Sequence, residues 1–273
     1  MTRSRSLRQV VFVLGCLLAG AAASAQTQQP FQPEVGQPGK DVVWVPTCQP
    51  LVEQMLDLAQ VTPQDFVVDL GSGDGRTVIT AAKRGARALG VEYNPNMVRL
   101  SQDNAAKAGV TGKATFVQAD LFETDFSQAT VVTLFLLPSI NMKLRPKILD
   151  MKPGTRIVAN TFTMEDWEPD QTVTIDHQDC TSWRTALLWI VPAKVEGTWT
   201  TPQGALTLHQ TFQTVSGTLG TDNAPVADAR LRGDRLVFTA GGVRYAGQVN
   251  GATITGTATA SGTERPWTAT RSQ

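Results

Sequence analysis

The chain has 273 residues, 41% hydrophobic and 18% charged, which excludes a disordered or fibrous protein and leaves room for one large domain or two small ones. Lys plus Arg equals Asp plus Glu at 24 each, so no uniform positive field exists to hold nucleic acid by counterion release, and no nucleic-acid partner is expected. Three Cys and two His without paired short spacings do not make a zinc site, and no metal is expected.

The first residues carry Arg3, Arg5 and Arg8 with no acid, followed by an apolar run that ends in Ala23-Ser24-Ala25. This pattern predicts a cleavable secretory signal over residues 1–25 and an exported protein, periplasmic or secreted. A lipoprotein box ending in Cys16 is disfavoured by Leu14, which is large for that pattern. The run is shorter than the ~20 residues of a spanning helix, so no membrane span is expected. Residues 26–43 are rich in Gln and Pro without hydrophobic period and read as a linker.

Residues 44–192 read as an α/β domain. The apolar strand Phe66–Leu70 ends in Gly71-Ser72-Gly73-Asp74-Gly75, and a helical stretch follows. Glycines let a chain turn with unusual dihedrals and bring bare backbone against a ligand, and a helix start offers unpaired amides. A second strand, from Ala88, ends in Glu92, an acid that can accept two hydrogen bonds from a ribose diol. A third, from Ala114, ends in Asp120, which can accept from an adenine amino group. Open α/β sheets bind ligands at the carboxyl ends of their strands, where all three features fall.

The glycines alternate as G-x-G-x-G behind Asp69, not as the dinucleotide G-x-G-x-x-G. With GVEYNP, QADLF and KPGTRIV following in order, the segment resembles the class I S-adenosylmethionine-dependent methyltransferases, which implies a doubly wound Rossmann-like sheet and S-adenosyl-L-methionine as cofactor. The stretch TVVTLFLLPSINMKLRPKILDMKPGTRIV and the Val45-Pro46-Thr47 segment are similar to the non-SET protein-lysine methyltransferases, including the mitochondrial enzymes that act on the ATP synthase c-ring and the adenine nucleotide carrier, and their bacterial relatives. The resemblance implies a protein lysine as acceptor. It places Asp69, Gly71, Gly73 and Gly75 at the methionine end, flanked by Thr47 and Asp74, with Glu92 on the ribose and Asp120 on the adenine. The Asn-Pro-Pro-Tyr tetrad of amide and base-amine methyltransferases is replaced by Phe135-Leu136-Leu137-Pro138, which argues against those acceptors.

A lysine ammonium must lose its proton before it can attack, and desolvation in an apolar channel favours the loss. Phe135, Phe162 and Trp167 are the candidate channel walls, with Asn141 as a polar orienter; core packing is the alternative for the three aromatics. His177 and His209 are assigned no catalytic role. The family's sheet order would bring Cys48 and Cys180 toward the cofactor rim, so either a disulfide clamps the N-terminal arm beside the pocket or both thiols are inert and buried.

From residue 193 onward short alternating stretches separated by turn residues predict an antiparallel meander of seven or eight strands, closing as a small barrel or sandwich. Its opening Gly197-Thr198-Trp199 is similar to avidin- and lipocalin-like barrels. The export signal and a cofactor made in the cytoplasm pull apart, and two functions follow: an active protein-lysine methyltransferase, or an exported ligand- or partner-binding protein in which the methyltransferase-like domain is non-catalytic and the barrel carries the function. The oligomeric state is open.

Overall fold

In the computed structural model, residues 31–272 are described. The expected signal segment, with its cleavage site and Cys16, lies outside them.

The first sheet is built from strands that read as apolar on both sides. β1 (Phe66–Leu70) lies between β2 (Arg87–Glu92) and β4 (Val131–Leu134), with β3 (Ala114–Gln118) outside β2 and β5 (Arg156–Asn160) beyond β4. These five are parallel; β7 (Thr185–Ile190) then joins antiparallel to β5, and β6 (Gln171–Thr174) closes the edge. The order is β3-β2-β1-β4-β5-β7-β6, so the winding reverses between β1 and β4. Helices α1 (Gln49–Leu58), α2 (Arg76–Lys83) and α3 (Pro95–Lys107) bury their apolar sides against Val67, Ala88 and Val131. On the other face α4 (Pro138–Leu149) packs on Val68, Leu70 and Val132. Successive residues of one strand thus feed opposite cores, which is why these strands show no polar alternation.

The second sheet is the expected meander: β8 (Gly197–Thr201), β9 (Gly204–Thr211), β10 (Thr214–Leu219), β11 (Ala224–Pro225), β12 (Ala227–Arg232), β13 (Arg235–Ala240), β14 (Val243–Asn250), β15 (Thr253–Ala260) and β16 (Thr263–Arg271). All neighbours are antiparallel, and β16 returns to pair with β8. Residues 224–232 behave as one bent strand: β11 pairs with β10, Val226 N–H donates to Gly217 O, and β12 pairs with β13 across a bulge. That bend brings the two ends of the sheet together into a nearly closed barrel, joined where residues 224–226 bond to β10. The interior is filled by Trp199, Phe238, Tyr245 and Trp267 with Leu206, Leu208 and Ile254.

Trp167 joins the two assemblies. Its ring is fully buried, stacks on Phe212 from the β9–β10 turn at 5.6 Å, and donates from Nε1 to Gln213 Oε1 at 2.9 Å. Its carbonyl accepts from Trp189 Nε1 at 2.7 Å. The expectation that Trp167 lines an acceptor channel is therefore corrected: a buried indole needs a partner for its N–H, and this one finds it on the barrel. Among the described residues no helix is long and apolar enough to cross a membrane.

Candidate active site

The site grows from the carboxyl end of β1. The amides of Gly71 and Ser72 both donate to Val91 O, at 2.9 and 3.0 Å, which folds the loop back over the ends of β1 and β2. Gly73 has φ +55, and a Cβ there would lie 2.5 Å from Trp44 Nε1, so only glycine lets the loop pass beneath that ring. Gly75 is corrected from ligand wall to packing: it faces Phe116 and Ser101, and a Cβ would meet the Phe116 ring at 2.8 Å.

Asp69 sits behind the loop, 7% exposed, and accepts from the Thr133 hydroxyl directly across the β1–β4 register. Burial, first, and then the nearby charges of Asp74 and Glu92 push its carboxyl up to about 7, against the opposing hydrogen bonds of Thr133 and Thr77. Asp69 lies on the wall of the cavity beside Gly71 and Gly73. Asp74, by contrast, is held by Arg76 through Nε at 3.0 Å and Nη2 at 2.6 Å. Arg76 also donates from Nη1 to Thr47 O at 2.8 Å, tying the loop to the Val45-Pro46-Thr47 segment.

Glu92 is fixed by two amides, Gly73 N–H at 3.0 Å and Asn94 N–H at 2.8 Å, one on each carboxylate oxygen. Asp120 accepts from Phe122 N–H at 2.9 Å and forms an ion pair with Lys40. The Lys40 hydrogen bond, foremost, and the Phe122 amide hold its carboxyl below the usual carboxylate range.

These groups share one cavity of about 230 Å³ whose wall includes Thr47, Asp69, Gly71, Gly73, Asp74, Glu92, Asp120 and Phe135. Its outer wall is the segment expected to be a linker. Residues 37–44 fold across the opening, held by Gly36 N–H to Trp44 O at 2.8 Å and Trp44 N–H to Gln37 O at 2.9 Å, while Lys40 lies 5.1 Å from the Tyr93 ring centre. A strap fixed at a few points needs no hydrophobic period, so its composition did not betray it.

At the far end Phe135 stacks on Phe162 at 5.9 Å, and Trp183 stands edge-on to Phe135 at 6.0 Å. Asn141 does not reach this end as an orienter. It lies on the buried side of α4, and its Nδ2 donates to the carbonyls of Phe162 and Thr163 at 3.3 and 3.2 Å, which positions the Phe162 turn. Sequence reasoning missed Trp44, Arg76, Thr133, Asn160 and Trp183. Only Thr133 left a signal, as the polar residue interrupting an otherwise apolar strand. Cys48 and Cys180 form the disulfide, with Cα atoms 5.6 Å apart, so the clamp beside the pocket is present.

A switch-point cleft with a glycine loop, a buried acid behind it and further acids on the next two strand ends defines a class I S-adenosylmethionine-dependent methyltransferase. Residues 69–171 match the family described as the ANTKMT methyltransferase domain. A protein-lysine N-methyltransferase of Saccharolobus islandicus is 45% identical over 138 residues, covering 50% of this chain and 86% of that protein. The mouse adenine nucleotide translocase lysine N-methyltransferase is 36% identical over 120 residues, covering 43% of this chain and 52% of that enzyme. A crystal structure from Salinibacter ruber, described as an RNA methyltransferase in complex with S-adenosyl-L-homocysteine, aligns with TM-score 0.52 and 46% identity over 55% of this chain and 96% of that one. The chain belongs to the non-SET protein-lysine methyltransferase family of class I enzymes, with S-adenosyl-L-methionine as cofactor.

Proposed function

We propose that the protein methylates the side-chain amine of lysine in a protein. The observation that carries this reading is the single cavity that runs from the buried Asp69 carboxyl to the aromatic wall of Phe135, Phe162 and Trp183. Asp69 takes the ammonium of the methionine moiety, Glu92 the ribose hydroxyls and Asp120 the base. The strap residues 37–44 and the Trp44 ring exclude water from the loop. S-adenosylmethionine supplies an electrophilic methyl on a sulfonium. The protein's contribution is to hold an amine at ~3–3.5 Å in line with that methyl, a task that needs position more than a dedicated acid or base.

Desolvation at this end favours the neutral amine over the ammonium, which suits a lysine whose ordinary pKa is near 10.4. The relatives named for lysine methylation support the same acceptor. The balanced charge of 24 against 24 supports a protein over a nucleic acid, although the Salinibacter neighbour is described as acting on RNA. We further propose export: the N-terminal pattern calls for it, and the Cys48–Cys180 bond suits an oxidising compartment. Incubation of the protein with methyl-labelled cofactor and an envelope extract, followed by acid hydrolysis, tests the acceptor. Label in methylated lysine is expected; label confined to nucleosides, or none in the presence of bound cofactor, contradicts it.

A further inference from the structure

A second cavity of about 190 Å³ lies beside the first and is lined by Thr47, Asn160, Phe135, Trp183 and Asp179. Val45, Pro46, Thr47, Phe135 and Trp183 line both cavities, so these five residues form the partition between them. We infer that this second cavity is the route by which a primary alkylammonium group, a lysine side chain or its partly methylated form, reaches the cofactor; the inference rests on the amine-acceptor reading and assigns the residues that admit it.

The wall combines charged, aromatic and amide groups. Asp179 contributes an exposed carboxylate, 3.7 Å from His177 Nδ1, a place to capture a cation while it is still hydrated. Trp183, 44% exposed, and Phe135 supply aromatic faces, which hold an ammonium through the ring quadrupole whether it carries no methyl, one or two. Asn160 lies at the carboxyl end of β5, 1% exposed, with Nδ2 donating to Thr47 Oγ1 at 3.2 Å and Oδ1 accepting from the Thr161 hydroxyl at 2.9 Å. It is the amide that sequence reasoning sought in Asn141.

Two residues on or beside this wall carry backbone strain. Thr161 has φ +60 and Trp183 φ +49, a left-handed conformation that β-branched and bulky residues rarely adopt. Thr161 is held there by its amide, which donates to Thr185 O at 2.7 Å, and the turn it makes presents Phe162 to Phe135. The disulfide ties the segment after Thr47 to the loop that carries Asp179 and Trp183, so both sides of the cavity are fastened to each other. In transfer, the ammonium gives a proton to water, its freed lone pair forms the N–C bond, and the breaking C–S bond leaves its electron pair on sulfur. The product is again a cation, which the aromatic faces can hold.

The test uses the full chain labelled with 5-fluorotryptophan, with the Trp183 signal assigned from Trp183→Phe. Titration with S-adenosylhomocysteine should move the Trp44 signal. Addition of n-butylammonium to that complex should then move the Trp183 signal saturably, while neutral 1-butanol leaves it in place, and Asp179→Asn should weaken the ammonium response several-fold with S-adenosylhomocysteine affinity unchanged. A silent Trp183 signal, an equal response to butanol, or an unaltered response in Asp179→Asn overturns the assignment of this route. Failure of S-adenosylhomocysteine itself to bind overturns the methyltransferase reading instead.

Discussion

The two sheets of this protein solve the problem of their edges and interiors in opposite ways. The barrel closes its ring through the bent strand 224–232 and fills the inside with Phe238, Tyr245, Trp267 and aliphatic side chains; among the described residues, Thr201 is its only buried polar one. The parallel sheet stays open at the carboxyl ends of β1, β2 and β3, and there it buries Asp69, Ser72 and Thr133. An unpaired acid in a low-dielectric setting is costly unless a partner arrives. The barrel is thus a filled body rooted through Trp167, and the open sheet carries the methyltransferase cleft.

Substitutions can separate the two. The largest effect is expected from Phe238→Ala, which removes a ring stacked on Tyr245 at 4.8 Å and should cost ~3–5 kcal/mol in denaturant unfolding of the barrel, with cofactor affinity of the folded protein unchanged. Loss of cofactor binding in that variant under folding conditions would show that the barrel shapes the cleft. Replacing Cys48 and Cys180 together by Ser opens a link between residues 132 apart in sequence and should cost about 2–4 kcal/mol, read as a lower Tm. An unchanged Tm would show that packing alone holds the Trp183 loop.

Asp69→Asn should weaken cofactor binding by about 100-fold, the scale of a charge-assisted hydrogen bond worth ~1.5–3 kcal/mol, as measured by calorimetry. The same change should leave Tm at pH 8 equal or higher. The folded carboxyl titrates at about 7, above its ordinary 3.8, so the native state holds the proton more tightly than the unfolded chain. Its contribution to stability falls as pH rises through that window, and the cost is complete above about 7; a neutral amide avoids it. The smallest effect is expected from Lys40→Gln, which frees the Asp120 carboxylate for a base amino group: a few-fold tighter nucleoside binding with no measurable change in Tm. Weaker binding would instead mark Lys40 as a ligand contact.

What the sequence made legible follows the same division. The Asp69–Gly75 loop, Glu92 and Asp120 are each specified locally, by a strand, its end and the turn beyond, so they could be read in order. The barrel strands were legible from alternation and turn residues, whereas ring closure depends on a bend at Val226 that no periodicity announces. The acceptor end is assembled from segments far apart: Thr47, Phe135, Asn160 and Trp183 meet only through the sheet order and the disulfide. Asn141 was a reasonable choice by position, yet Ile140, Leu144 and Ile148 set the phase of α4 and turn Asn141 inward with them. Trp167 and Phe162 are aromatics on one short stretch of loop, and nothing local distinguishes the one that packs from the one that lines the cavity.

The central claim is that Asp69 is a buried acid reserved for a cationic ligand. Calorimetric titration with S-adenosylhomocysteine across a pH series tests it most directly. Affinity should climb by up to tenfold per pH unit below about 7, level off above it, and be accompanied by proton release, because only the ionised carboxylate pairs with the ligand's ammonium. Absence of binding at millimolar ligand, or an affinity that stays flat through that range, would contradict the account.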